Sequence, residues 1–128
     1  MMNKTLILAL RIAVAIILIQ TLRFKFTAHP DSIYIFTKVG LEPFGRIGIG
    51  ILELIAAILI LIPKTIWAGA LLTVGLLSGA VMMHLTQLGI EINNDGGTLF
   101  YMAVSVLLLS VIILFDQRKK IPLIGHLL

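Results

Sequence analysis

A chain of 128 residues that is 59% hydrophobic and only 12% charged cannot cover a core with a water-compatible surface, which excludes an ordinary soluble domain. The lack of any cysteine removes thiol–disulfide exchange, iron–sulfur ligation and thiolate metal sites. The net charge of +4 does not argue for nucleic acid, because the basic residues are scattered at the edges of apolar runs without interleaved aromatics; anionic lipid headgroups explain them more simply.

A bilayer core is about 30 Å thick and takes roughly 20 apolar residues of helix to cross. Residues 5–22 form the first such stretch, interrupted by Arg11 and Gln20. Arg11 breaks the apolar run and no small-x-small cleavage site follows it, so the stretch is read as a retained helix and not as a signal peptide. Residues 23–43 follow as a long connection. Within it Pro30-Asp31-Ser32 has the character of a helix start, and Ile33, Phe36 and Leu41 alternate with Ser32, Thr37 and Lys38. A short amphipathic helix on the membrane surface is expected here, with Tyr34 at headgroup depth; the competing reading is an ordinary hairpin connection with some packed aromatics.

The second span, 44–62, carries Arg46, Gly50, Glu53 and Ala57 on one face. Ionisable groups inside a span need a partner or a purpose. Arg11 lies about 9 Å into the first span and Glu53 about 13.5 Å from the same side of the second. The expectation is therefore an Arg11–Glu53 ion pair in the bundle interior. It serves either as a clamp on helix register or as a carboxylate poised for proton transfer or a polar ligand.

The third span, 66–88, presents Gly69, Thr73, Leu76, Ala80, His84 and Gln87 as a stripe that begins small and ends polar. Its glycines, Gly69, Gly75 and Gly79, are read with Gly45, Gly48 and Gly50 as helix-packing residues. Residues 89–97 then form a turn-rich loop, whose Glu91 and Asp95 face the compartment of Arg23, Lys25 and Lys38 and could make a salt-bridged lid. Those carboxylates are too few and too solvated to indicate a metal site. The fourth span, 98–115, brings Tyr101 near its start, and a tail of 116–128 carries Arg118, Lys119 and Lys120. Gln20, Arg46, His84 and Tyr101 thus come from four helices at similar depth, where a ligand cavity of a bundle would open. Gln87 taken singly reads as a helix-to-helix hydrogen bond.

Because backbone groups in lipid must be paired internally, and no span alternates as a barrel strand does, the fold is read as all-α. It is one membrane domain over residues 1–128, a four-transmembrane-helix bundle. Lys4, Lys64, Arg118, Lys119 and Lys120 lie on the side of the termini. Arg23, Lys25 and Lys38 on the other side are offset by Asp31, Glu42, Glu91 and Asp95. The positive-inside rule then puts both termini in the cytoplasm.

Arg11 in the first span, Phe24-Lys25-Phe26 beyond it, Gly40-Leu41-Glu42-Pro43 before the second span, Glu53 within Gly50-Ile51-Leu52-Glu53-Leu54, and Asn94-Asp95-Gly96-Gly97 before the last span together resemble the DoxX family of small bacterial membrane proteins. The resemblance runs from about residue 5 to 115 and carries over Arg11, Lys25 and Glu53. It implies a four-helix protein of the bacterial inner membrane. Its relatives range from quinol oxidase components and thiosulfate:quinone oxidoreductase-like subunits to thiol-oxidation complexes, cargo receptors and assembly chaperones. The lack of cysteine departs from the thiol-linked members.

The residues supply no complete catalytic set and point to no cofactor directly. The first expectation is an accessory subunit or assembly factor that docks a protein partner or a second copy. The alternative is a quinone-linked oxidoreductase subunit, with Glu53 handling protons and Arg46, His84 and Tyr101 lining a pocket for the ring carbonyls. A small-molecule permease is a third, weaker reading.

Overall fold

In the computed structural model, which describes residues 3–122 and 124–127, four helices are long and apolar enough to cross a bilayer: Lys4–Phe26, Phe44–Leu61, Pro63–Leu88 and Thr98–Asp116. The first is α1 (Lys4–Phe26). It starts at Asn3, whose side chain accepts from the Thr5 N–H, and runs a turn beyond the expected boundary at residue 22. Arg23 and Lys25 therefore belong to the helix and not to a loop. This extension decides where Lys25 can reach.

The amphipathic segment is a helix, α2 (Pro30–Lys38), which begins at the expected proline. Its buried residues are Ser32 and Phe36, while Ile33 and Tyr34 are exposed. The inward face is thus not the one marked by Ile33. Next come α3 (Phe44–Leu61), α4 (Ile66–Met83) and α5 (Thr98–Asp116). A turn at Pro63–Thr65 joins α3 to α4, and α4 widens into a π-helical turn over His84–Leu88 before the loop to α5.

Helix α1 packs on α3 and α5, and α4 packs on α3 and α5, so the four long helices form a closed ring in the order α1, α3, α4, α5. The interior is filled by Val14, Leu18, Ala56, Ala57, Ile60, Ala70, Leu77, Ala103, Val106 and Ile113. Each long helix buries only 22% to 33% of its apolar window, and large apolar side chains such as Ile16, Ile58, Leu71 and Leu108 are exposed. Such a surface suits acyl chains. Between helices surrounded by lipid the hydrophobic effect gives little attraction, and close packing has to supply it. Gly69 shows how: a Cβ there would stand 2.5 Å from the Ile60 backbone nitrogen, so α3 and α4 touch backbone to backbone near their connecting turn.

Two arginines tie α1 to its antiparallel neighbour. Arg11 Nε and Nη2 donate to the carbonyls of Ile60 and Leu61, each at 2.8 Å, and Arg46 Nη1 donates to the carbonyl of Lys25. The last carbonyls of a helix have no intrahelical donor and carry the negative end of its dipole. Each helix thus has its C-terminal end capped by an arginine from the other.

Candidate functional site

The expected Arg11–Glu53 pair does not form. Arg11 is occupied by the end of α3, whose last carbonyls, those of Ile60 and Leu61, have no intrahelical donor. Glu53 lies seven residues, about 10 Å, before Ile60 on α3. Its partner is Lys25, whose Nζ is 2.8 Å from Glu53 Oε1 in an ion pair that lacks hydrogen-bond alignment. The two side chains are 13% and 6% exposed, so the pair is largely shielded from solvent. Thr21 joins them: its Oγ1 donates to the Leu18 carbonyl at 2.8 Å and stands 3.4 Å from Glu53 Oε2.

Lys25, Glu53 and Thr21 line a cavity of about 260 Å³ in the half of the bundle away from the termini. Its other walls are apolar: Leu18 and Phe24 from α1, Leu76, Leu77, Ala80 and Met83 from α4, and Leu99, Met102, Ala103 and Val106 from α5. Ile35 and Phe36 of α2 cover its far end. His84 also lines it, from the π-helical turn. The ring is held from two sides, by an Nδ1 contact of 2.9 Å to the Gly89 carbonyl and by the edge of Phe100. A carbonyl only accepts, so Nδ1 carries hydrogen and the neutral ring has Nε2 as its acceptor.

The remaining polar candidates lie elsewhere. Gln20 and Gln87 are exposed on the bundle surface, and Tyr101 is 59% exposed. Gln20 lies between Leu18 and Leu22, both buried, so it occupies the opposite face of α1. Arg46 is buried, but it holds Glu42 through Nε at 2.9 and 3.0 Å, together with the Lys25 carbonyl, and does not line the cavity. It positions Lys25 from behind. Thr21 was not foreseen, although its spacing from Leu18 and Lys25 puts all three on one stripe of α1.

The expected salt-bridged lid is replaced by a different link. Lys25 is committed to Glu53, and Asp95 turns back on its own loop, accepting from the N–H groups of Ile92, Gly97 and Leu99 at 3.1, 2.7 and 3.2 Å. Partial burial pushes the Asp95 carboxyl up, but these three donors and the nearby His84 outweigh it and hold it below its ordinary value of 3.8. The loop is instead joined to α2 by Asn93 Nδ2 donating to Asp31 Oδ1 at 2.6 Å. Among the described residues, no three His, Cys, Asp or Glu side chains come together as a metal set.

The glycines divide into two groups. Gly69, Gly50 and Gly45 are contact points, Gly50 against the Phe26 ring and Gly45 against the Leu41 side chain. Gly48, Gly75 and Gly79 have open space where a Cβ would stand, and Gly75 and Gly79 border the cavity. Reading all six as packing residues is therefore corrected for these three.

Comparison of the chain with protein-family models, with curated proteins and with solved structures gives no match.

Proposed function

We propose that this chain is a DoxX-like protein of a bacterial inner membrane, with both termini cytoplasmic, that serves as the quinone-binding subunit of a larger redox complex. One observation carries the reading: an apolar cavity whose polar groups are a shielded ion pair on α1 and α3, with Thr21 beside it, and a histidine beyond α4. Mostly apolar walls with a few polar groups fixed in place are the signature of a small-molecule site. About 150 Å³ between apolar side chains suffices for benzene, so 260 Å³ suits a substituted single ring.

The donor set fits such a ring. The Lys25 ammonium has three N–H donors and is not hydrogen-bond aligned on Glu53, so it can serve a ring carbonyl while staying paired. His84 offers a second polar contact, as an acceptor from a ring hydroxyl when neutral and as a donor to a carbonyl when protonated. A quinone supplies reversible uptake of electrons with protons. Glu53 and His84 hold and pass those protons, and Phe24, Met83 and Met102 keep water out. In this reading a partner subunit supplies the electrons, so that the accessory role and the quinone role coincide.

Lipid extraction of the purified protein tests the reading. One quinone per chain is expected, with loss on Glu53→Gln or His84→Ala and retention on Tyr101→Phe, whose side chain faces outward. Wild-type protein that carries no quinone, yet copurifies with a fixed protein partner, would leave only the docking role.

A further inference from the structure

The cavity adjoins a second hollow. Gly75 and Leu76 line both the central cavity and a groove on the outer face of α4 formed with Trp67, Ala68, Leu71 and Leu72. At this junction the wall is thin for a definite reason: a Cβ on Gly75 or on Gly79, one turn further along, would meet nothing within 4 Å. Lower on the same helix, Gly69 is pressed against the Ile60 backbone. Helices α3 and α4 are therefore tight at their connecting turn and leave room above it.

Resting on the quinone reading above, we infer that the cavity opens sideways at Gly75 into the bilayer and that its ligand is a ring with a long apolar tail, the head against Lys25–Glu53 and the tail in the groove toward Trp67. The cavity volume supports this, because 260 Å³ accommodates a substituted ring but no extended chain, so a chain attached to the ring has to leave. The far end is covered by Ile35 and Phe36, and a lined apolar path continues past Gly75. From Gly75 to Trp67 the groove follows α4 for eight residues, about 12 Å. Every side chain along it is apolar except for the indole N–H, and it lies within a span long and apolar enough to cross a membrane. A tail there replaces acyl chains at no cost in polar desolvation. Gly75 is thereby a specificity-determining residue.

The test uses the full chain in lipid nanodiscs and two probes, dimethoxy-methyl-benzoquinone without a tail and the same head with a geranylgeranyl tail. Wild type and variant are compared for each probe, so that partition into lipid cancels. Gly75→Leu puts a four-carbon side chain across the junction, and displacing roughly two methylenes of the tail gives about a tenfold loss of affinity for the tailed probe, with a smaller loss for the tailless one. Ala68→Phe, which touches only the groove, should weaken the tailed probe to a similar extent with the tailless one held, and it guards against a folding defect at Gly75. Emission from Trp67, the sole tryptophan, should respond to the tailed probe alone. Equal effects on both probes, or none on the tailed one, would overturn the lateral path while leaving the head site standing. Binding of neither probe by wild type would overturn both.

Discussion

Lys25 at the end of α1 and Glu53 at the middle of α3 face each other at 2.8 Å across the wall of the cavity. This pair, and not one involving Arg11, neutralises the carboxylate buried in α3. Removing one member of a buried pair leaves an uncompensated charge, whereas removing both leaves none. Lys25→Met and Glu53→Gln should each destabilise the protein, Lys25→Met by roughly 3 kcal/mol because it strands a carboxylate. The double variant should lose less than the sum. Thermal unfolding in detergent, arranged as a double-mutant cycle, reads the coupling, and strict additivity would show that the pair contributes nothing.

Arg11 acts at the other end of the same helix pair. Arg11→Met leaves the Ile60 and Leu61 carbonyls without their donor and should cost about 1 to 3 kcal/mol. Its effect should add to that of Glu53→Gln within roughly 0.5 kcal/mol, since the two groups share no partner. Coupling well above that in a Tm-based cycle would restore the pair expected from axial depth. Ligand content should be unchanged in Arg11→Met, because Arg11 does not border the cavity.

The long helices were legible because lipid imposes length and apolarity together, and neither property depends on tertiary detail. Side-chain partners were less so. Depth along a helix can be counted from sequence, and on that basis Arg11 suits Glu53. The count omits backbone acceptors, and the end of α3 offers Arg11 two of them, the Ile60 and Leu61 carbonyls. Hydropathy also ended the first span at residue 22 because Arg23 and Lys25 are charged, although Lys25 is stabilised on the helix by Glu53. Azimuth was the second omission. Gln20 has the right depth but sits on the face opposite Leu18 and Leu22, while Thr21 shares the inward stripe.

Gly69 and Gly75 should respond to the same change in opposite directions. At Gly69 a methyl group runs into the Ile60 backbone, which cannot yield without separating α3 from α4, so Gly69→Ala should cost about 1 to 3 kcal/mol. At Gly75 the methyl group meets open space, and the gain in helix propensity makes Gly75→Ala neutral or stabilising by up to about 1 kcal/mol. Matched unfolding curves in one detergent compare the two. A loss at Gly75 as large as that at Gly69 would mean that α4 is packed along its whole length and that the opening beside the cavity does not exist.

Asp95 makes the stability of the loop before α5 depend on pH, with a sign that follows from its surroundings. Its folded pKa lies below 3.8, because the N–H groups of Ile92, Gly97 and Leu99 favour the carboxylate more than burial opposes it. A carboxyl depressed in the folded state contributes stability that is fully present above its unfolded pKa and is lost as pH falls through the folded value. At neutral pH, Asp95→Ala should lower Tm by an amount corresponding to about 1 kcal/mol, the usual worth of a side chain satisfying backbone donors at a helix start. The gap between wild type and variant should narrow as pH drops below 3.8. Glu91→Ala, at an exposed position in the same loop, controls for general charge effects and should show no such gap. A wild-type advantage that held constant to lower pH would mean that the neutral carboxyl binds the three N–H groups as well as the carboxylate does, and that charge plays no part in shaping the loop.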